Sequence, residues 1–200
     1  MKKIVFILCI ICLFAPSKNL KAQVEDSYFN VYYSMGQGIG ETKDFISKYS
    51  FRGIGIGYQA EISEHVIAGV GVDWNVFYQK FPYATYVSDL NSVSGKQYRY
   101  LNLFPMTAKL QYFKDTNKGV RIMAGTGIGT TYLMQDIDMG SYRMNTNTWQ
   151  FLLAPELGLT YDLDAGKSLL LSVKYNANFK NTELSNRSYL SFNIGFSFNQ

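Results

Sequence analysis

The chain has 200 residues, enough for one domain of ordinary size, and only 17% of them are charged against 47% hydrophobic. Its formal net charge of +4 belongs to the first 22 residues: without their four lysines, 15 of the 19 basic residues remain, against 15 acidic ones. A neutral remainder offers no basic stripe for nucleic acid, and with Cys9 and Cys12 both in that first segment it offers no disulfide or thiolate metal site either.

Residues 1–22 read as a secretory signal. Lys2 and Lys3 form a basic start, IVFILCIICLF (4–14) is an apolar run, and cleavage is expected between Ala22 and Gln23. The run is too short to span a bilayer as a helix, which takes roughly 20 apolar residues. The remaining residues, 23–200, are expected to form a single domain.

Beyond Gln23 the sequence carries no convincing amphipathic helix. Alternation at period two recurs instead, the pattern of a strand with two unlike faces. Eight strands are predicted, at 27–36, 51–62, 66–78, 97–113, 119–134, 148–162, 168–179 and 188–198. The connections at 63–65, 114–118 and 163–167 are short, whereas those at 37–50, 79–96, 135–147 and 180–187 are long. Short and long connections alternate, which places all tight turns at one end of an up-and-down meander and all long loops at the other. This is the asymmetry of transmembrane barrels. The expected fold is therefore all-β, an eight-stranded antiparallel up-and-down transmembrane β-barrel.

One face of each strand is apolar and uncharged. On 66–76 it is Val66, Ala68, Val70, Val72, Trp74 and Val76; on 149–161 it includes Trp149, Phe151, Leu153, Leu157, Leu159 and Tyr161; on the last strand it is Leu190, Phe192, Ile194, Phe196 and Phe198. Lysine or arginine facing lipid near the midplane costs about 2–4 kcal/mol, so the charge-free face is assigned to lipid. From Trp149 to Tyr161 the row spans about 30 Å along the normal for a strand tilted near 40°. Aromatic residues then fall at both interfaces, Tyr33, Phe51, Tyr78, Tyr132 and Trp149 at one and Tyr58, Tyr112, Tyr161 and Phe198 at the other.

The opposite parity collects Glu61, Asp73 and Glu156 with Lys109, Arg121 and Lys174. Three acids and three bases inside a barrel only wide enough to be filled by side chains point to a lumen ion-pair ladder, joined by Asn30, Tyr32, Gln59 and Asn193. The glycine runs GIGIG (53–57) and GTGIG (125–129) lie within strands, so they lack the strand-to-helix setting of a phosphate loop. His65, the one histidine, sits in a tight turn beside Ser63 and Glu64 and has no triad geometry. No catalytic, cofactor-binding or metal-binding residues are assigned, and no cofactor is expected.

The strand count, the loop asymmetry, the Ala-Gln signal end and the segment YLNLFPMTAKLQYF (100–113) resemble the eight-stranded outer-membrane β-barrel family of Bacteroidetes, porin-like or PorT-like. Against the family pattern one extra residue separates Leu101 from Pro105, which is read as a β-bulge, a place where a strand tolerates proline. The resemblance also implies a location in the outer membrane of a Gram-negative cell, with outer-membrane lipid as solvent. The aromatic-rich last strand resembles the assembly signal read by the outer-membrane insertion machinery, although here Asn199 and Gln200 follow the final phenylalanine. The expected role is non-enzymatic, in envelope integrity or in surface interaction through the long loops, with any surface ligand unknown. The alternatives are a narrow small-solute channel or an accessory to protein secretion.

Overall fold

The computed structural model describes residues 26–88, 91–116, 119–140, 142–163 and 166–199. The predicted signal, 1–22, and its cleavage site lie outside these residues. Eight strands follow in order: β1 (Ser27–Gly38), β2 (Gly53–Ser63), β3 (Val66–Ser88), β4 (Asn91–Asp115), β5 (Val120–Met139), β6 (Tyr142–Asp162), β7 (Lys167–Asn178) and β8 (Tyr189–Asn199). Each pairs antiparallel with its neighbours in sequence, and β8 returns to β1 to close the barrel. The closing seam runs from Tyr28 opposite Asn199 to Gly38 opposite Tyr189. It places Phe196 beside Val31 and Phe198 beside Phe29, apolar row against apolar row. Closure leaves no sheet edge in the barrel wall.

Burial follows the parity expected from the sequence. Along β6 from Thr148 to Thr160 the even positions are buried or half-buried, while the odd ones, Trp149 through Tyr161, are exposed. The same outward exposure holds for Ile54, Ile56 and Tyr58 on β2, Val70, Val72 and Trp74 on β3, and Ile194 and Phe196 on β8. Aromatic rings form a belt toward the long-connection end. Trp74 stacks on Phe104 at 5.8 Å, Phe104 meets Tyr132 at 6.4 Å, and Tyr132 meets Trp149 at 4.9 Å.

Three expectations are corrected. The described parts of the segments 79–96 and 135–147, residues 79–88, 91–96, 135–139 and 142–147, are strand and not loop. Strands β3 and β4 stay paired out to Ser88 and Asn91, and β5 and β6 out to Met139 and Tyr142. Because β4 and β5 remain paired up to Gln97 and Met139, the two hairpins form a wall standing above the rest of the barrel. The interspersed Tyr, Thr and Val of these segments are strand formers, and their lower apolar content reflects the environment they project into.

The second correction concerns Pro105. It keeps register with Thr131 on β5, and β3–β4 pairing lapses only opposite Phe104 and Pro105 before resuming in the same register. A proline lacks one donor, and skipping a rung accommodates it without an inserted residue. The bulge lies instead between Phe81 and Tyr83, at Pro82. The third is a short helix, α1 (Glu41–Phe45), inside the first long connection, where no helix was expected. Five residues are too few to show amphipathic periodicity.

Candidate functional site

The barrel interior is layered along its axis. At the tight-turn end is a vestibule of about 340 Å³, lined by Tyr28, Arg121, Asp162 and Lys167 among others, whose floor includes Ile67 and Met123. Arg121 anchors it, with Nη1 2.6 Å from Glu61 Oε1 and Nε 2.6 Å from Asp115 Oδ1. Tyr28 completes the group: its hydroxyl donates to Glu61 Oε1 at 2.6 Å and accepts from Arg121 Nη1 at 2.8 Å.

Above this mouth Tyr32, Ile67, Phe113, Met123 and Leu170 form a first apolar cluster. Gly55 lies against the Tyr32 ring, which occupies the space where a Cβ would stand. A glycine at that inward position is what lets a tyrosine cross so narrow a lumen.

The middle layer holds two ion pairs. Lys174 Nζ lies 2.5 Å from Asp73 Oδ2, and Lys109 Nζ 2.9 Å from Glu156 Oε2. Both ammonium groups approach the Tyr32 ring, at 5.8 Å for Lys174 Nζ and 5.9 Å for Lys109 Nζ, while the Tyr32 hydroxyl donates to Asp73 Oδ1 at 2.6 Å. Polar neighbours use the remaining carboxylate capacity. Ser172 donates to Glu156 at 2.7 Å and Gln111 donates to it at 3.3 Å. Gln59 donates to Gln111 at 2.6 Å, Asn30 to Gln59 at 2.8 Å, and Asn193 to Ser172 at 3.0 Å. The cavity beside Lys109 and Glu156 is about 10 Å³, room for at most a single water.

A second apolar cluster closes the long-hairpin end: Phe45, Ile46, Phe77, Leu101, Leu103, Leu133 and Tyr189. Two of these come from α1 and its C-cap, so the first connection folds inward over the mouth. Two arginines fasten it there. Arg187 lies over the Phe45 ring at 4.9 Å, donates to Glu41 O at 3.1 Å, and reaches Gln135 Oε1 with Nη2 at 2.8 Å. Arg99 lies over the same ring at 5.1 Å and donates to Phe45 O at 2.9 Å. Burial, and after it the nearby Arg99, lower the pKa of Arg187, with the Glu41 carboxylate opposing them.

Glu61, Asp73, Lys109, Arg121, Glu156 and Lys174 all point inward, but they form separate groups. Four make the central layer, while Arg121 and Glu61 stand apart at the tight-turn mouth with Asp115. Apart from Tyr32, the residues of the apolar layers on either side, and the clasp of Arg99 and Arg187 on Phe45, have no counterpart among the site residues assigned from the sequence. The parity that selects Lys109 also selects Arg99; nothing local marks Phe45 as a plug residue.

His65 packs edge-on against Tyr112 at 5.7 Å and against Phe113 at 6.2 Å. Among the described residues no group of three or more His, Cys, Asp or Glu side chains is placed to hold a metal ion.

No protein-family model and no curated protein matches the chain. Solved structures share its fold. A major outer membrane protein from Thermus thermophilus superposes with a TM-score of 0.53 at 12% identity, covering 87% of this chain and 99% of that one. Neisserial surface protein A gives 0.52 at 15% identity, covering 86% and 95%, and OprG from Pseudomonas aeruginosa gives 0.52 at 16%, covering 88% and 95%. At these identities the likeness is one of architecture, that of the eight-stranded outer-membrane β-barrel.

Proposed function

We propose that this chain is an integral outer-membrane protein of a Gram-negative envelope. Residues 1–22 direct export and 23–200 form the barrel domain, which reaches its lipid environment through the outer-membrane insertion machinery. Its role is non-enzymatic, with no nucleic-acid partner: a filled, non-conducting barrel that supports envelope integrity or surface interaction through its long-hairpin end. The narrower resemblance to PorT-like barrels of Bacteroidetes is part of this reading and rests on the segment 100–113.

One observation carries the proposal. The second apolar cluster closes the lumen above two buried ion pairs, and the cavity beside one of them is about 10 Å³. A hydrated ion needs a continuous polar path. The ion pairs and the Tyr28–Glu61–Arg121 group act as structural fill, which neutralises each buried charge with a partner.

The hairpin wall supports the surface role. Phe179 N donates to Phe151 O, so the odd-numbered backbone groups of β6 face the β7 side. Strand pairing with β7 begins only at Leu152, which leaves the backbone of Arg143, Asn145 and Asn147 on an open edge. Such an edge accepts an extended segment as an added strand.

Recording current from purified protein in planar bilayers tests the sealed lumen. The expected result is a flat baseline. Steady unitary openings abolished by Arg121→Gln or Glu156→Gln contradict the filled barrel and favour a small-solute channel.

A further inference from the structure

Charge is unevenly spread around the long-hairpin end. On the β5–β6 flank the outward charges satisfy one another, Arg143 Nε lying 3.0 Å from Asp138 Oδ1 and 3.9 Å from Asp136 Oδ1. On the flank made by the first connection and β3, Lys48, Arg52 and Lys80 are exposed. None of these three has a carboxylate within ion-pair distance among the described residues.

These cations are held in place. Gln79 Oε1 accepts from Ser47 N at 2.7 Å and Lys48 N at 3.3 Å, tying that stretch to β3 next to Lys80. Val76 N donates to Arg52 O at 2.8 Å. The Arg52 guanidinium lies 5.8 Å over the Tyr78 ring, and the Lys80 ammonium 5.5 Å over the Tyr98 ring. Aromatic support of this kind restrains a long cationic side chain without neutralising it. Between Lys48 and Arg52 a cleft of about 210 Å³ opens, lined by Tyr49, Phe51, Val76 and Tyr78. Immediately toward the tight-turn end the same face becomes apolar and exposed, with Ile54 and Ile56 on β2 and Val72 and Trp74 on β3.

Unneutralised cations along one flank, two of them sharing a cleft, above bare apolar surface match a ligand that is anionic at one end and hydrocarbon at the other. We propose that the cleft between Lys48 and Arg52, with Lys80 farther along β3 on the same flank, binds the phosphorylated headgroup of an outer-leaflet lipid, whose acyl chains lie along Ile54, Ile56, Val72 and Trp74. The inference rests on the membrane reading above. Arg52 provides the planar donor fork that suits phosphate oxygens, and the two lysines supply point charges. Free phosphate shares the headgroup chemistry but makes no use of the apolar surface below.

Native mass spectrometry of the full chain in micelles tests this, with heat-dependent gel mobility confirming the fold of every variant. The parent is titrated with phosphatidic acid, with diacylglycerol and with inorganic phosphate, beside K48Q/R52Q/K80Q and the tight-turn-end control K114Q/K167Q. The expected result is binding of phosphatidic acid in preference to the other two. Loss of about fivefold in affinity per cation, on the order of 100-fold in the triple variant, is expected with the control unchanged. Undiminished binding in the triple variant, equal loss in the control, or inorganic phosphate binding as tightly as the lipid overturns the inference. A chain that inserts into bilayers but shows no headgroup preference contradicts this site alone, whereas a chain that stays in water contradicts the membrane reading itself.

Discussion

Lys174 Nζ and Asp73 Oδ2 lie 2.5 Å apart at the centre of the barrel, each side chain only 1% exposed. They are 101 residues apart in sequence, on β7 and β3, on opposite sides of the ring. The contact therefore crosses the lumen, which only a barrel of this small diameter permits.

Breaking that pair from one side strands a charge. Asp73→Leu is expected to destabilise the folded barrel by about 3–5 kcal/mol, because Lys174 is left without its counter-ion, and adding Lys174→Met to that variant is expected to recover most of the loss. Urea unfolding followed by tryptophan fluorescence measures both. A single variant as stable as the parent contradicts the closed central layer.

In the apolar layer above it, the Phe77 side chain is held by packing. Phe77 is fully buried, meets Tyr189 edge-on at 5.4 Å, and its ring tip stands 2.7 Å from where a Cβ on Gly36 would be. Phe77→Ala is expected to cost about 3–5 kcal/mol through the cavity it opens. Gly36→Val is expected to cost about 1–3 kcal/mol by overpacking the same ring. The two together are expected to cost less than their sum, since the added side chain enters the vacated space. The same urea experiment reads the coupling.

Phe45 fastens the first connection to the mouth through Arg99 and Arg187. Phe45→Ala is expected to release α1 and speed tryptic cleavage after Lys43 and Lys48 by at least about tenfold, since local opening governs cleavage where closing is fast. Cleavage at the parent rate contradicts the clasp.

The path from sequence to barrel was short because the period-two pattern, the faces and the tight turns are local properties. Trp149 to Tyr161 displays its alternation without reference to any other strand. Interior layering is different. Whether Lys109 meets Glu156 or Asp73 depends on the stagger between strands, and that stagger is a property of closure. The hairpin extensions escaped because Thr85, Ser94 and Asn145 carry no apolar alternation once both faces meet water. Phe45 and Arg187 escaped because a plug assembled from two connections and four strands has no local mark in any of them.

The outward face can be probed by charge. Leu157 is 66% exposed near the middle of its row. Leu157→Arg is expected to cost about 2–4 kcal/mol in a bilayer, whereas Arg at exposed Asn145, on the wall above, is expected to cost nothing measurable. Folding titrations into vesicles compare them, and equal stabilities contradict the assignment of the face.

The account as a whole depends on what touches that face. The chain has two tryptophans, Trp74 and Trp149, both outward and about half exposed, at 47% and 53%. The most direct measurement is quenching of their fluorescence by brominated acyl chains, compared with quenching by acrylamide in water. The expected result is strong quenching of both by shallowly brominated lipid and weak quenching by acrylamide. Ready acrylamide quenching with no response to brominated lipid means the face is in water, and the membrane barrel is wrong.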